Sequence, residues 1–419
     1  MTQRIAIVGT GISGLTCAHL LHPHHDITVF EANDYIGGHT ATVDVEIENQ
    51  TYAIDTGFIV YNDWTYPNFI KLLKKLNVET QATEMSFSVK DANRDFEYNG
   101  HSLNSLFAQR RNVLRPMFWR MLNDIVRFNK LCKSPDTLAK SGDKTLWDLI
   151  KQEKFSAAFS YHYILPMCAA IWSTSLEEIK GFPLRFFLQF FNNHGLLNLV
   201  DRPQWHTLVG GSRAYIPPLT KGFEDRIHLN SPVDAIHKEE NHWVVESKGQ
   251  KQHFDSVILA CHSDQALNML TAPTPEQQGI LGDIRYAPND VVLHTDAHIL
   301  PKRQLAWASW NYHIDTQQEA LSRPATVTYN MNILQRLQSN TTFLVTLNNT
   351  DAIRPEKILR RFNYSHPQFN QASHKAQSRR QEICGKHNLH FCGAYWYNGF
   401  HEDGVKSALD VCKRFGVSL

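Results

Sequence analysis

Little in this chain places it among the specialised classes of protein. Its 419 residues include only seven cysteines, at 17, 132, 168, 261, 384, 392 and 412. None forms a CxxC pair and none has metal-ligand spacing, and an odd, scattered set points to reduced thiols in a cytoplasm rather than a disulfide framework. No apolar run approaches the ~18 residues of a spanning segment, so no transmembrane helix is expected. Neither sign of charge prevails, with 42 Lys and Arg against 41 Asp and Glu. Nothing therefore draws the chain as a whole to nucleic acid. There is no internal repeat and no low-complexity linker. An apolar strand already begins at Arg4, which leaves no room for a signal peptide. Histidine is abundant at 22, but the cluster His22-Pro23-His24-His25 reads as a solvated turn, and no metal is expected.

What is present is ordinary in bulk and specific in detail. Hydrophobic content of 42% and charged content of 20% fit a globular protein, and the length calls for two or three domains. The detail lies at the start. Arg4-Ile5-Ala6-Ile7-Val8 runs into Gly9-Thr10-Gly11-Ile12-Ser13-Gly14, and a second apolar run, Ile27-Thr28-Val29-Phe30, ends at Glu31. A GxGxxG between strand and helix, with an acid 17 positions past its last glycine, signals a dinucleotide. Gly9 allows the turn, Gly11 lets backbone approach a pyrophosphate, and Gly14 lets helix and strand lie close. The pyrophosphate meets unpaired N–H groups at a helix N-terminus. Glu31 accepts from the adenosine ribose, and an acid there disfavours a 2′-phosphate.

Three stretches read as α/β: residues 1–60, 205–285 and 385–419. Segment 61–204 is largely helical in pattern and rich in aromatics, and 286–384 mixes strands with a helical stretch near Pro355–Phe362. The expected fold class is α/β, a Rossmann-like domain with a parallel sheet, interrupted twice by a mixed α+β substrate domain.

Gly9-x-Gly11-x-x-Gly14, Glu31 and the following Gly37-Gly38 together resemble the flavin-binding signature of the FAD-dependent amine oxidase and phytoene desaturase superfamily. Ala53-Ile54-Asp55-Thr56-Gly57 resembles its Asp-x-Gly element, and Val233-Asp234-Ala235-Ile236 its adenine-contacting strand. Leu389 to Gly393 is similar to its last flavin strand, and Gly399 to Val405 to the start of its final helix. Asp55 to Asn62, Ala170 to Ser173 and Gly399 to Gly404 further resemble a bacterial group of FAD oxidoreductases associated with cyclopropane fatty acid synthase-like enzymes. The resemblance implies FAD as cofactor, contacted by Gly9, Gly11, Ile12, Ser13, Gly14, Glu31, Ala32, Gly38, His39, Thr40, Gly57, Phe58, Ile59, Val233, Gly393, Gly404 and Val405. For catalysis it directs attention to Tyr61, His401 and Glu402. The superfamily's amine oxidases carry a lysine near the flavin. Arg285 to Leu300 contains none, and Asp290 stands near its expected place. Phe400 occupies the position of one aromatic wall, and Tyr395, Trp396 and Tyr397 offer others in a different register.

Two stretches bear on the substrate. Residues 161–200 are dense in Phe, Tyr, Leu and Ile, as either a domain core or a tunnel for an acyl chain or isoprenoid. Residues 106–133 carry seven basic residues against the single acid Asp124, interleaved with Trp119, Phe118 and Leu114. That pattern fits a solvated basic face or peripheral attachment to the inner face of an anionic membrane. The expected function is an FAD oxidoreductase taking a hydride from a fatty acyl or phospholipid chain. The alternatives are a flavin amine oxidase and a non-catalytic, FAD-bound accessory protein at a membrane. Oligomeric state is left open.

Overall fold

Five short aliphatic runs, far apart in sequence, meet in one parallel sheet. In the computed structural model, which describes residues 2–314 and 323–419, its order is Ile227–His228, Asp26–Phe30, Arg4–Val8, Ser256–Leu259, Leu389–Phe391. Every neighbouring pair is parallel. Strands of such a sheet are covered on both faces and read as continuous apolar runs. Ile5, Ala6, Ile7, Val257, Ile258 and Leu259 are accordingly buried without residue. The helix Ile12–Leu21 leaves the central strand and packs along the last helix, His401–Cys412. Cys17 and Cys392 meet in that core with sulfurs 3.9 Å apart, and all seven cysteines are free thiols.

A second sheet of seven strands runs Ile358–Pro367, Tyr286–His294, Leu344–Leu347, Val327–Asn330, Trp310–Ile314, Phe87–Asp91, Phe96–Asn99. All pairs are antiparallel except Trp310–Ile314 with Phe87–Asp91. Against it packs a helical body that includes Pro116–Cys132, Leu165–Trp172 and Leu184–Asn193, whose core holds Phe118, Phe128, Phe159, Phe187 and Phe191. Most of the aromatics of residues 161–200 belong to this core.

Two expectations change here. Ile358–Pro367 is a strand rather than a helix, preceded by one tight turn at Pro355–Lys357. It forms the sheet edge, and pairing along nearly all of Tyr286–His294 outweighs the weak helical periodicity of its own residues. Segment 61–204 also supplies the strands Thr80–Thr83, Phe87–Asp91 and Phe96–Asn99, between its first helix, Pro67–Lys75, and the rest of its helices.

Candidate functional site

The three glycines of the first loop answer to different constraints. Gly9 sits at φ +103°, where a side chain is strained. A Cβ on Gly14 would lie 2.0 Å from the Gly9 carbonyl oxygen, so helix and turn could not approach. Gly11 has φ −62° and ψ 172°, open to any residue, and its Cβ would meet no protein atom within 4 Å. Nothing in the protein requires glycine there. The helix that follows has no side-chain cap and no acid in its first turn, so its N–H groups and dipole are free for an anion. Gly38 closes over this loop, its Cβ position 3.2 Å from the Gly11 Cα.

Glu31 is buried at the end of its strand. One carboxylate oxygen accepts from the Thr10 N–H (2.9 Å) and hydroxyl (2.5 Å), the other from the Asn33 N–H and side-chain amide (2.9 Å each). Ala32 is exposed beside it. The Ser231 N–H donates to the Glu31 carbonyl at 2.7 Å, which brings the half-buried Val233 alongside.

Residues 39–41 and 56–58 run side by side, Phe58 N–H donating to His39 O and Thr56 N–H to Ala41 O at 2.8 Å. A Cβ on Gly57 would lie 2.2 Å from His39 O. Asp55 anchors the pair, accepting from Thr42 Oγ1 (2.6 Å), the Ser212 N–H (2.8 Å) and Gln335 Nε2 (3.0 Å). Burial pushes its pKa up to about 6. Ile59, next in the chain after Phe58, is buried.

The last helix reaches this region from the other end of the chain. Gly393 lets the Tyr395 ring lie over the backbone, since a Cβ there would stand 2.3 Å from the ring. Ser13 Oγ donates to Gly404 O at 3.0 Å, a Cβ on Gly404 would stand 2.6 Å from Ile12 Cγ2, and Val405 is buried in the same cluster as Ile12. The helix N-terminus is thus pressed against the glycine loop.

A family model described as flavin containing amine oxidoreductase matches residues 12–326. The chain belongs to this family. Among similar proteins, the 15-cis-phytoene desaturase of Synechococcus elongatus is 36% identical over 88 residues, 21% of this chain and 18% of that protein. The flavin-containing amine oxidase A of Canis lupus familiaris is 23% identical over 264 residues, 58% of this chain and 46% of that protein. The chain spans less than half the length of these relatives. Two solved structures share the fold: cyclohexylamine oxidase from Brevibacterium oxydans, with TM-score 0.68, 15% identity and coverage of 99% of this chain and 100% of the other. The second, a CLA-producing fatty acid isomerase from P. acnes, gives TM-score 0.69 and 14% identity over 99% and 98%.

FAD is the cofactor of this flavoprotein family, and the residues present fit it. A glycine that no protein neighbour demands, under an uncapped helix N-terminus, suits a pyrophosphate. Glu31 and the segment before Val233 lie together, as an adenosine requires. Glu31 already uses both oxygens within the protein, so a ribose shares or replaces the Thr10 and Asn33 side chains.

Of the three residues expected to act in catalysis, only His401 faces the segments gathered around this site. Its ring stacks on Phe58 at 3.6 Å, and Nε2 lies 3.1 Å from both Thr40 Oγ1 and the Tyr215 hydroxyl, which also bond each other. Burial, and secondarily His39, pushes its pKa down to about 3, so it is a neutral imidazole at physiological pH. Glu402 instead caps the helix Pro67–Lys75, accepting from the Asn68 N–H (3.1 Å), its side-chain amide (2.5 Å) and the Phe69 N–H (2.9 Å). A carboxylate saturated by a neighbouring helix is a structural cap. Tyr61 is buried behind Phe69, with ring centroids 5.5 Å apart, while Phe69 in turn lies 5.6 Å from His401. A ring therefore separates it from the helix N-terminus. Asp290 is exposed and accepts from the Thr350 hydroxyl. Tyr395 and Trp396 are core residues of the parallel-sheet domain, and Tyr397 bonds Asp410.

The fold adds residues that no local pattern marks. His39, His262, His366 and Tyr364 converge, His39 lying 6.0, 5.6 and 5.4 Å from the other three rings respectively. Burial pushes His39 down to about 3 and His366 to about 4. His39 Nε2 is buried with no hydrogen-bond partner among the described residues. The only trace in sequence is the position of His39 after the second glycine pair; His262 arrives as the N-cap of the helix Ser263–Met269 and His366 from the edge strand Ile358–Pro367. Among the described residues no group of His, Cys, Asp and Glu could hold a metal ion. No helix among them is long and apolar enough to cross a membrane.

Proposed function

We propose that this chain is an FAD-dependent oxidoreductase acting on a fatty acyl or phospholipid chain, removing a hydride in a desaturation or a double-bond isomerisation. The observation that carries the reading is the character of the walls beside the last helix. Phe400, its N-cap, stacks on Phe190 at 5.4 Å and lies 5.8 Å from His194, and Phe186 stacks on Phe369 at 5.9 Å. The imidazoles nearby are neutral: burial lowers His194 and His366 to about 4, and His39 and His401 to about 3. These side chains carry no fixed charge to pair with a charged substrate group, and an apolar chain suits them. The shared fold of a fatty acid isomerase is in keeping with this reading.

FAD, when bound, supplies a two-electron acceptor. The N–H groups of residues 12–14 and the N-terminal dipole of His401–Cys412 favour its negative charge. The phenylalanine walls align the chain and exclude water. His39 Nε2, without a hydrogen-bond partner among the described residues, can accept a proton only transiently, because burial lowers its pKa to about 3 and it returns the proton readily. Anaerobic mixing of the yellow protein with unsaturated phospholipid and fatty acid tests the proposal: bleaching of the flavin band, or a moved double bond seen by mass spectrometry, is expected, and neither with any such lipid would refute it. The family model keeps an amine oxidase as the second reading, separable by peroxide release with a panel of amines. A non-catalytic accessory protein would stay yellow with every substrate.

A further inference from the structure

The basic stretch 106–133 does not present the apolar stripe of its helix to the outside. Phe118, Met121, Ile125, Phe128 and Cys132 of Pro116–Cys132 are buried in the protein's own core. A different apolar set remains outside. The turns before the helix present Leu103 and Leu114, 78% and 84% exposed, with Val113 beside them, and the first helical turn adds the half-exposed Trp119. Trp119 is tied to this turn, its indole N–H donating to Val113 O at 2.8 Å and its ring lying 5.6 Å from Phe107. Single exposed leucines are ordinary; several exposed apolar side chains between Leu103 and Trp119, beside an excess of basic ones, mark an interaction surface.

The rim is basic. Arg94, Arg110, Arg111 and Arg120 are exposed and Arg115 is half-buried. The exposed acid among them, Asp95, is taken by Arg111, which holds its carboxyl below the usual range. Arg94 pairs loosely with the buried Asp91 (3.9 Å), and Arg110 donates to the neutral Asn104 side chain (2.8 Å); among the described residues neither Arg110 nor Arg120 has an ion-pair partner. Arg94 and Arg115 flank a shallow pocket of about 330 Å³ completed by Phe96, Leu114, Pro116 and Met117. Cationic groups over an apolar floor match the boundary between phosphate headgroups and acyl chains.

We propose that this knuckle docks the protein on an anionic phospholipid surface, with Leu103, Leu114 and Trp119 entering the acyl boundary and Arg94, Arg110, Arg115 and Arg120 meeting lipid phosphates. The protruding leucines select a bilayer over free phosphate, and the excess of arginine selects anionic over zwitterionic lipid. The proposal concerns a surface outside the FAD site and stands whether or not the lipid chain is the substrate.

Flotation of the FAD-loaded protein with vesicles of phosphatidylcholine, alone or mixed with phosphatidylglycerol, tests it. Binding to the mixed vesicles only, weakening with salt, is expected. R110Q/R120Q lowers the partition coefficient about fivefold for each charge removed, and L103S/L114S lowers it about tenfold or more. Both variants alter exposed side chains, so an unchanged flavin spectrum certifies their fold. No binding to either vesicle, or binding that both variants retain, overturns the proposal. So does a concentration-dependent dimer in light scattering that L103S/L114S dissolves while vesicle binding persists, which would make the knuckle a contact with a second copy.

Discussion

Gly11 and Gly14 lie three residues apart, and substitution should separate their roles. At Gly11 the backbone is ordinary and an added Cβ meets no protein. G11A is expected to fold with unchanged apo-protein stability and to purify with little or no flavin. At Gly14 the added Cβ would meet the Gly9 carbonyl at 2.0 Å, so G14A is expected to lose about 3 kcal/mol or more of stability whatever the cofactor. Thermal melts of the apo-proteins, beside visible absorbance of the purified ones, distinguish them. Equal destabilisation by both would show that Gly11 is a packing glycine. The sequence motif assigns Gly11 to the ligand and Gly14 to helix packing, and the structure gives the atoms behind that division. Atoms of Gly9 and Ala260 stand near the Gly14 Cβ position, and none stands within 4 Å of that of Gly11.

The last helix shows how an element acquires a role its sequence only outlines. Gly399 to Val405 marks a helix start, yet two of the three ionisable residues there are engaged by the protein itself. Glu402 caps Pro67–Lys75, and Asp403 accepts the Phe400 N–H at 2.9 Å in its own helix's capping box. Burial, then the neighbouring Glu402, pushes the Asp403 pKa up to about 7 from an ordinary 3.8. The folded chain therefore holds this proton more tightly than the unfolded one. Its contribution to stability is full below the ordinary pKa and is lost as pH rises through the raised one. Relative to Asp403→Asn, the wild type should lose up to about 4 kcal/mol between about pH 4 and pH 8. Denaturant melts of both proteins across that range check this, and parallel stability curves would refute it. His401, the third residue, faces inward only because Phe58, Thr40 and Tyr215 are assembled around it. Nothing within the sequence of the helix distinguishes it from Glu402.

Across the whole molecule, the glycine loop and the start of the last helix are some 390 residues apart in sequence and joined by the bond from Ser13 to Gly404 (3.0 Å). A cofactor held by both should stabilise them together. Removing FAD is expected to lower the melting temperature by several degrees, since a ligand at a thousandfold excess over its Kd contributes about 4 kcal/mol. Hydrogen exchange should rise in residues 9–15 and 401–405 together and hardly change in Pro116–Cys132. Loss of protection at one end alone would contradict this.

The aliphatic strands and the dinucleotide loop were determined by the sequence itself, because strand, tight turn and helix are local events that fixed residue types enforce. The glycines of the loop, Glu31 and the aliphatic strands carry their instructions with them. The edge strand Ile358–Pro367, the roles of Tyr61 and Glu402, the imidazoles around His39 and the outward-facing leucines of the basic knuckle were decided only by tertiary structure. Each depends on which distant residue arrives beside it: a pairing strand, a helix end needing a cap, a desolvating wall, or a core that has already taken the other face of a helix. Local pattern is blind to such neighbours, since burial and partnership are properties of the assembled chain.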